Sequence, residues 1–210
     1  LDFGGNDDLF AVDYLGVNYR QDQPADPRMF ADCEVWIVEK ALQESPNRAL
    51  YELWVEQGWL KVCPGETFDS SYAMNALAEK TQKGINMVMF GFDPAQSKWP
   101  INTLKAWLYT LGIRQENIDQ MVVPVSQTTI TQTPRIAELE HMILEKEPWM
   151  TFSMNPMIPW SFGNCAAEVN SSDLRRIVKG CGHNGKIDFV AGLEDALYLF
   201  DLSEGRIDKV

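Results

Sequence analysis

Positive charge is scarce in this sequence. Eighteen lysines and arginines stand against thirty aspartates and glutamates, a formal net charge of -12. A chain of that sign repels nucleic acid at long range, so a phosphate-bearing partner would have to be met by a local basic patch. Long hydrophobic runs are missing too: no window approaches the ~18 uninterrupted apolar residues of a membrane span, and no basic segment leads into an apolar one at the start. A soluble, untargeted chain with no membrane partner is expected. The four cysteines, Cys33, Cys63, Cys165 and Cys181, form no CxxC pair, which argues against a zinc ribbon or a disulfide framework and fits a reducing cytoplasm. Cys181 and His183 have the look of half a metal site, and no second pair completes it. The phosphate-cradling loop GxxxxGK followed by Ser or Thr occurs nowhere, so no ATP hydrolysis is expected of this chain.

What is present suits one core. With 45% hydrophobic residues in a chain of 210, a single domain over 1–210 is expected. After a turn at GGND, the stretch LFAVDYLG (9–16) reads as a strand paired back on the first residues; 19–32 is polar with two prolines and reads as a surface excursion. A third strand is expected at 33–40, a helix over 47–58 ending at a glycine, a short extended piece at WLKVCPG, and an amphipathic helix over 68–84 capped by Asp69 or Ser70. The run INMVMFGFD (85–93) is continuously apolar, the pattern of a central strand buried on both faces. Helices at about 99–111 and 133–147 and strands at 121–127 and 149–154 follow, and the alternation predicts a mixed sheet with helices on its faces.

Three aspartates occupy informative places: Asp2 on the first strand, Asp93 at the C-terminal end of the apolar strand, where open α/β sheets gather ligands, and Asp188 at the mouth of a helix in NGKIDFVAGLEDAL (184–197). For Asp188 alone, helix capping is a sufficient reason, and all three are residue types common in turns and caps. In a sheet whose first and fourth strands are neighbours, however, Asp2 and Asp93 lie side by side and a helix packed across them brings in Asp188. Three such carboxylates repel one another unless cations intervene, and hard oxygen donors select Mg²⁺ or Mn²⁺. Two ions about 3.5 to 4 Å apart activate water and stabilise a leaving oxygen, the chemistry of a nuclease.

Several stretches carry a family resemblance: LDFGGNDDLFAV at the start, ELWVEQGWLKVCPGETFD at 52–69, and NPMIPWSFGN leading to KIDFVAGLEDAL. The aspartate followed six residues later by Asp8-Leu9, the run from Trp54 to Pro64-Gly65, and the spacing of Asn155-Pro156, Trp160 and Asn164 resemble, in order and separation, the C-terminal nuclease domain of the large terminase subunit of tailed bacteriophages. The resemblance implies an RNase H-like (RuvC-like) α/β fold, a mixed central sheet flanked by helices, and a two-metal-ion endonuclease that cleaves concatemeric double-stranded DNA during packaging. It places the metal-binding triad at Asp2, Asp93 and Asp188, with Asp8 as accessory acid and Asp7 and Asp195 as lesser candidates. It further implies two Mg²⁺ or Mn²⁺ ions, an ATPase domain upstream, a small terminase subunit and a portal as partners, and the host cytoplasm as location. The start at LDF, in mid-strand character, fits a fragment. The chain departs from the pattern in having almost no strand before Asp2 and a bulky Phe189 beside Asp188.

Between Asn170 and Ile187 the chain carries Arg175, Arg176, Lys179 and Lys186 against Asp173, with a GCGHNG turn between. This reads either as a basic hairpin that positions DNA through its phosphates or as an ordinary solvated loop. Two rivals stand beside the nuclease: another RNase H-like nuclease such as a junction resolvase, and a catalytically silent module that only docks or grips DNA.

Overall fold

Alternating apolar residues build the centre of the molecule. The computed structural model describes residues 2–3, 9–20, 23–94, 98–145, 149–180 and 184–207, with side chains described within 9–18, 28–94, 101–145, 149–180 and 184–203. Strand β1 (Asp2–Phe3) lies antiparallel to β2 (Phe10–Arg20), with Asp2 opposite Ala11 and Phe3 opposite Phe10. The long strand β3 (Gln23–Val38) returns along β2 from Gln23 opposite Arg20 to Trp36 opposite Phe10. The expected excursion over 19–32 therefore pairs in part: 28–32 lie in register with β2 and Gln23 lies opposite Arg20, while the register shifts across 24–27. Both prolines fall in that irregularity, where no partner on β2 calls for a ladder donor.

After helices α1 (Glu39–Glu44) and α2 (Arg48–Glu56), β4 (Leu60–Cys63) joins β3 in parallel. Gly58, with φ of 81°, closes α2 in the left-handed conformation that glycine adopts at no steric cost. Helix α3 (Ser71–Gln82) starts where Asp69 accepts the Ser71 N–H at 2.9 Å, as its cap motif predicts. The central strand expected over 85–93 forms only as β5 (Phe90–Phe92), paired in parallel not with the main sheet but with β6 (Val122–Pro124). Helices α4 (Lys98–Thr110) and α5 (Gln115–Met121) lie between them, and α5 takes the first residue of the strand expected at 121–127.

Helix α6 (Thr129–Leu144) begins four residues earlier than its apolar period suggests, because Thr128 caps it by accepting the Thr131 N–H. Strand β7 (Met150–Phe152) pairs with β3 at Met29–Ala31. Helix α7 (Met157–Gly163) and the hairpin of β8 (Cys165–Val169) and β9 (Arg175–Lys179) complete the approach to α8 (Asp188–Ile207).

The sheet is covered on both faces. On one, Phe10 stacks on Phe68 just ahead of α3, with centroids 3.9 Å apart, and Lys80 of α3 lies over the Tyr14 ring. Burial pushes Glu34 upward, but hydrogen bonds from Lys61 and Lys80 outweigh it and hold the carboxyl below its ordinary value. On the other face lies α8, whose Val190, Leu193 and Leu197 are buried in the core. The motif residues of 155–164 are structural: Asn155 donates to the Cys33 carbonyl and accepts from Met157 N–H, and Trp160 packs edge-on against Tyr51 and Trp54.

Candidate metal and DNA site

The three aspartates lie on different elements. Asp93 follows β5 directly and is half-buried. Asp188 is the first residue of α8, in the turn where free N–H groups and the helix dipole favour a carboxylate, and its Oδ2 is sealed from solvent. Helix α8 packs on β5: a β-carbon at Gly91 would lie 3.0 Å from Leu199 Cδ1. Two residues beyond Val125, which also faces Gly91, Gln127 donates to Asp195 Oδ1 at 2.7 Å. Moving toward the C-terminal end of β5 and β6 thus means moving toward the N-terminus of α8, the direction in which both Asp93 and Asp188 lie.

Asp2 is described only as a strand position. Its register opposite Ala11 puts it two residues from Asp13 along the pairing. The ladders among the described residues do not join β1 to β5, so the side-by-side arrangement of the first and fourth strands is not formed there. Asp7, Asp8, Cys181 and His183 lie outside the described residues, and among the described residues no three His, Cys, Asp or Glu side chains are grouped to hold a metal ion. Asp93 and Asp188 offer carboxylate oxygens, the donor chemistry that Mg²⁺ and Mn²⁺ require.

Phe189 points elsewhere than its bulk beside Asp188 suggested: it is buried between Phe152 and Phe162 in edge-on contacts. Asp195, two turns along α8, is tied through Gln127 to Gln132. Two acids escaped the sequence reading. Asp13 on β2 sits against Gly192, where a β-carbon would overlap its carboxylate. Glu194 is buried, its two oxygens meet no hydrogen-bond donor among the described residues, and burial followed by the charge of Asp195 pushes its carboxyl up to about 8. The signal available for Asp13 was its place in the alternation of β2, on the face that turned out to hold α8.

Two of the four basic residues carry surface ion pairs. The hairpin turns at 170–174, not at GCGHNG, with Asp173 at φ of 58°; GCGHNG instead joins β9 to α8. Asn164 fastens both ends of that connection, accepting from Gly180 N–H at 2.7 Å and donating to the Lys186 carbonyl at 3.1 Å. Arg175 pairs with Glu140 and Arg176 with Glu168, both at the surface. Lys179 is exposed and makes no ion pair among the described residues. Lys186 lines a hollow of about 300 Å³ with Asn184, Asn47, Glu44 and Leu9, closed by a 2.7 Å hydrogen bond from Asn47 to the Asn184 carbonyl. Leu9 and Lys186 place this hollow beside the start of β2 and the start of α8.

No family model matches the chain, and no curated protein matches it by sequence. Among solved structures it is similar to the crystal structure of the HK97 bacteriophage large terminase, with a TM-score of 0.68 and 20% identity, over 91% of this chain and 36% of that one. It spans about a third of that protein's length. Over 91% of its residues, this chain therefore has the fold of a part of a phage large terminase.

Proposed function

We propose that this chain is the metal-dependent endonuclease part of a phage DNA-packaging motor, RNase H-like in fold, which cleaves concatemeric double-stranded DNA in the host cytoplasm. The observation that carries the reading is the fold shared with the HK97 large terminase; Asp93 at the end of β5 and Asp188 at the start of α8, the helix that packs on β5, are consistent with it. Asp2, Asp93 and Asp188 would hold the metal, with Asp8 as an accessory. Two Mg²⁺ or Mn²⁺ ions, when bound, supply a water acidic enough to attack at neutral pH and charge to stabilise the leaving oxygen. The N-terminus of α8 favours a charged carboxylate at Asp188 and so keeps a metal-binding oxygen there. Lys179 and Lys186 meet the phosphates, and the remaining acids keep DNA from settling elsewhere. An ATPase domain upstream, a small terminase subunit and a portal complete the motor in this reading.

The test is nicking of supercoiled plasmid with Mn²⁺ and with EDTA, for the wild type and for Asp93→Asn. Metal-dependent nicking is expected in the wild type and its loss in Asp93→Asn, with the far-ultraviolet circular dichroism unchanged. Equal rates in the two proteins would remove Asp93 from the centre. No nicking by the wild type, with DNA still bound, would favour a module that only grips DNA.

A further inference from the structure

The residues that lead into α8 are held by two asparagines from other helices. Asn47 is the N-cap residue of α2, a position where asparagine usually accepts a hydrogen bond from an N–H of its own first turn. Here the side chain makes no cap bond; its Nδ2 reaches 137 residues along the chain and donates to the Asn184 carbonyl at 2.7 Å. Asn164, the C-cap residue of α7, takes the next two residues: its Nδ2 donates to the Lys186 carbonyl at 3.1 Å, and a β-carbon on Gly185 would lie 3.1 Å from its Cβ and Cγ. The Ile187 carbonyl then accepts the Ala191 N–H at 3.0 Å, the bond that opens α8. Each of 184–187 is thus engaged, and Asp188 follows directly.

Both asparagines stand on one packed platform. Tyr51 and Trp54 of α2 are buried with ring centroids 5.7 Å apart, and Trp160 of α7 meets them edge-on at 6.1 and 5.2 Å. Rings packed this closely cannot shift singly, so α2 and α7 keep a fixed relation. Asn47 is itself fixed at the end of this unit: its N–H donates to Ser45 Oγ at 3.1 Å, and its carbonyl accepts the Leu50 and Tyr51 N–H groups at 3.0 Å. The two amides therefore reach the backbone of 184–186 from points that do not move with it.

We propose that Asn47 is a positioning residue for Asp188: together with Asn164 it fixes the backbone of 184–187, and through it the place where α8 begins and presents its first carboxylate. The proposal rests on the reading of Asp188 as a metal ligand. A carboxylate on the first residue of a helix moves with the chain that enters that helix. A loose entry spreads its oxygens over several positions, and a divalent ion is then held more weakly. For stability alone, the ordinary cap bond within α2 would serve.

The test is Asn47→Ser. Serine caps a helix as well as asparagine does, but its hydroxyl is one bond too short to reach the Asn184 carbonyl, so the Tm in EDTA should stay within about 2 °C of the wild type. The Ala191 amide should exchange about fivefold faster or more, because the turn it closes has lost a tether. Titration calorimetry should show Mn²⁺ bound about tenfold more weakly, the size of loss expected for a group that orients a metal ligand. Equal Mn²⁺ affinity in the two proteins would overturn the proposal and leave Asp188 a ligand that needs no tether. Equal exchange at Ala191 would overturn it as well, since the start of α8 would then be held by other contacts. A wild type that binds no Mn²⁺ would overturn the nuclease reading itself, and the proposal with it.

Discussion

Replacing Glu194 by glutamine should make the protein more stable at neutral and alkaline pH and leave it little changed in acid. Glu194 is 3% exposed, with Asp195 next to it on α8 and Cys165 across from it; burial, followed by the charge of Glu194, pushes that thiol up to about 12. The carboxyl is pushed from 4.5 up to about 8 on folding. For a group whose value is raised in the folded state, the favourable contribution is complete below the unfolded value and is lost as pH climbs through the folded one. The window is therefore about pH 4.5 to 8. Linkage over that interval gives a penalty of about 3 kcal/mol at pH 7, approaching ~5 kcal/mol above pH 9, because each tenfold change in proton affinity is worth ~1.4 kcal/mol. Glutamine cannot ionise and keeps the volume, so this penalty disappears. In a chain of this size, a gain of about 3 kcal/mol corresponds to a rise in Tm of roughly 6 to 12 °C at pH 7. Thermal melts of both proteins at pH 5, 7 and 9 read the difference directly: the curves should nearly coincide at pH 5 and separate steadily upward. Parallel pH profiles would show that Glu194 keeps its ordinary acidity when folded, and the argument from its burial would fail.

Millimolar Mn²⁺ should raise the Tm of the wild type and not that of Asp188→Asn, because only the folded state gathers the acids; equal shifts in differential scanning fluorimetry would count against Asp188 as a ligand. Gly192→Ala should cost about 1 to 3 kcal/mol in urea unfolding, since its β-carbon overlaps the Asp13 carboxylate. The loss should shrink by more than half in the Asp13→Ala background, and additive losses would place the clash elsewhere. Reversing Lys179 and Lys186 to glutamate should weaken plasmid binding and flatten its salt dependence by about one unit of slope per lost phosphate contact, which filter binding across a salt series would detect. An unchanged slope would bring DNA in from another side.

Local patterns in the sequence were enough for what depends on neighbours in the chain. The helices over 47–58 and 68–84 appear within a few residues, since their stops and caps, Gly58 and Asp69, act on their own backbone. Asp93 at a strand end and Asp188 at a helix start are likewise local facts, readable from an apolar run that stops at an acid and a glycine turn that precedes one. Tertiary structure decided what depends on residues far away in sequence. Prolines and polar side chains in 19–32 argue for a loop, but 28–32 pair with β2 and become strand, because a neighbouring edge supplies the ladder bonds that propensity does not, and the prolines are left to the irregular stretch 24–27. The apolar run 85–93 argues for a central strand, but only Phe90–Phe92 find a partner, because a strand exists only where another edge is present to bond it. The Asp13 carboxylate is covered because α8 lies across β2, Glu194 is buried on the side of α8 near Cys165, and the ion pairs of Arg175 and Arg176 come from the hairpin folding beside Glu140 and Glu168. Charge is written in the sequence, but its partners and its desolvation are properties of the packed molecule, and those set which acids and which cations remain available for a ligand.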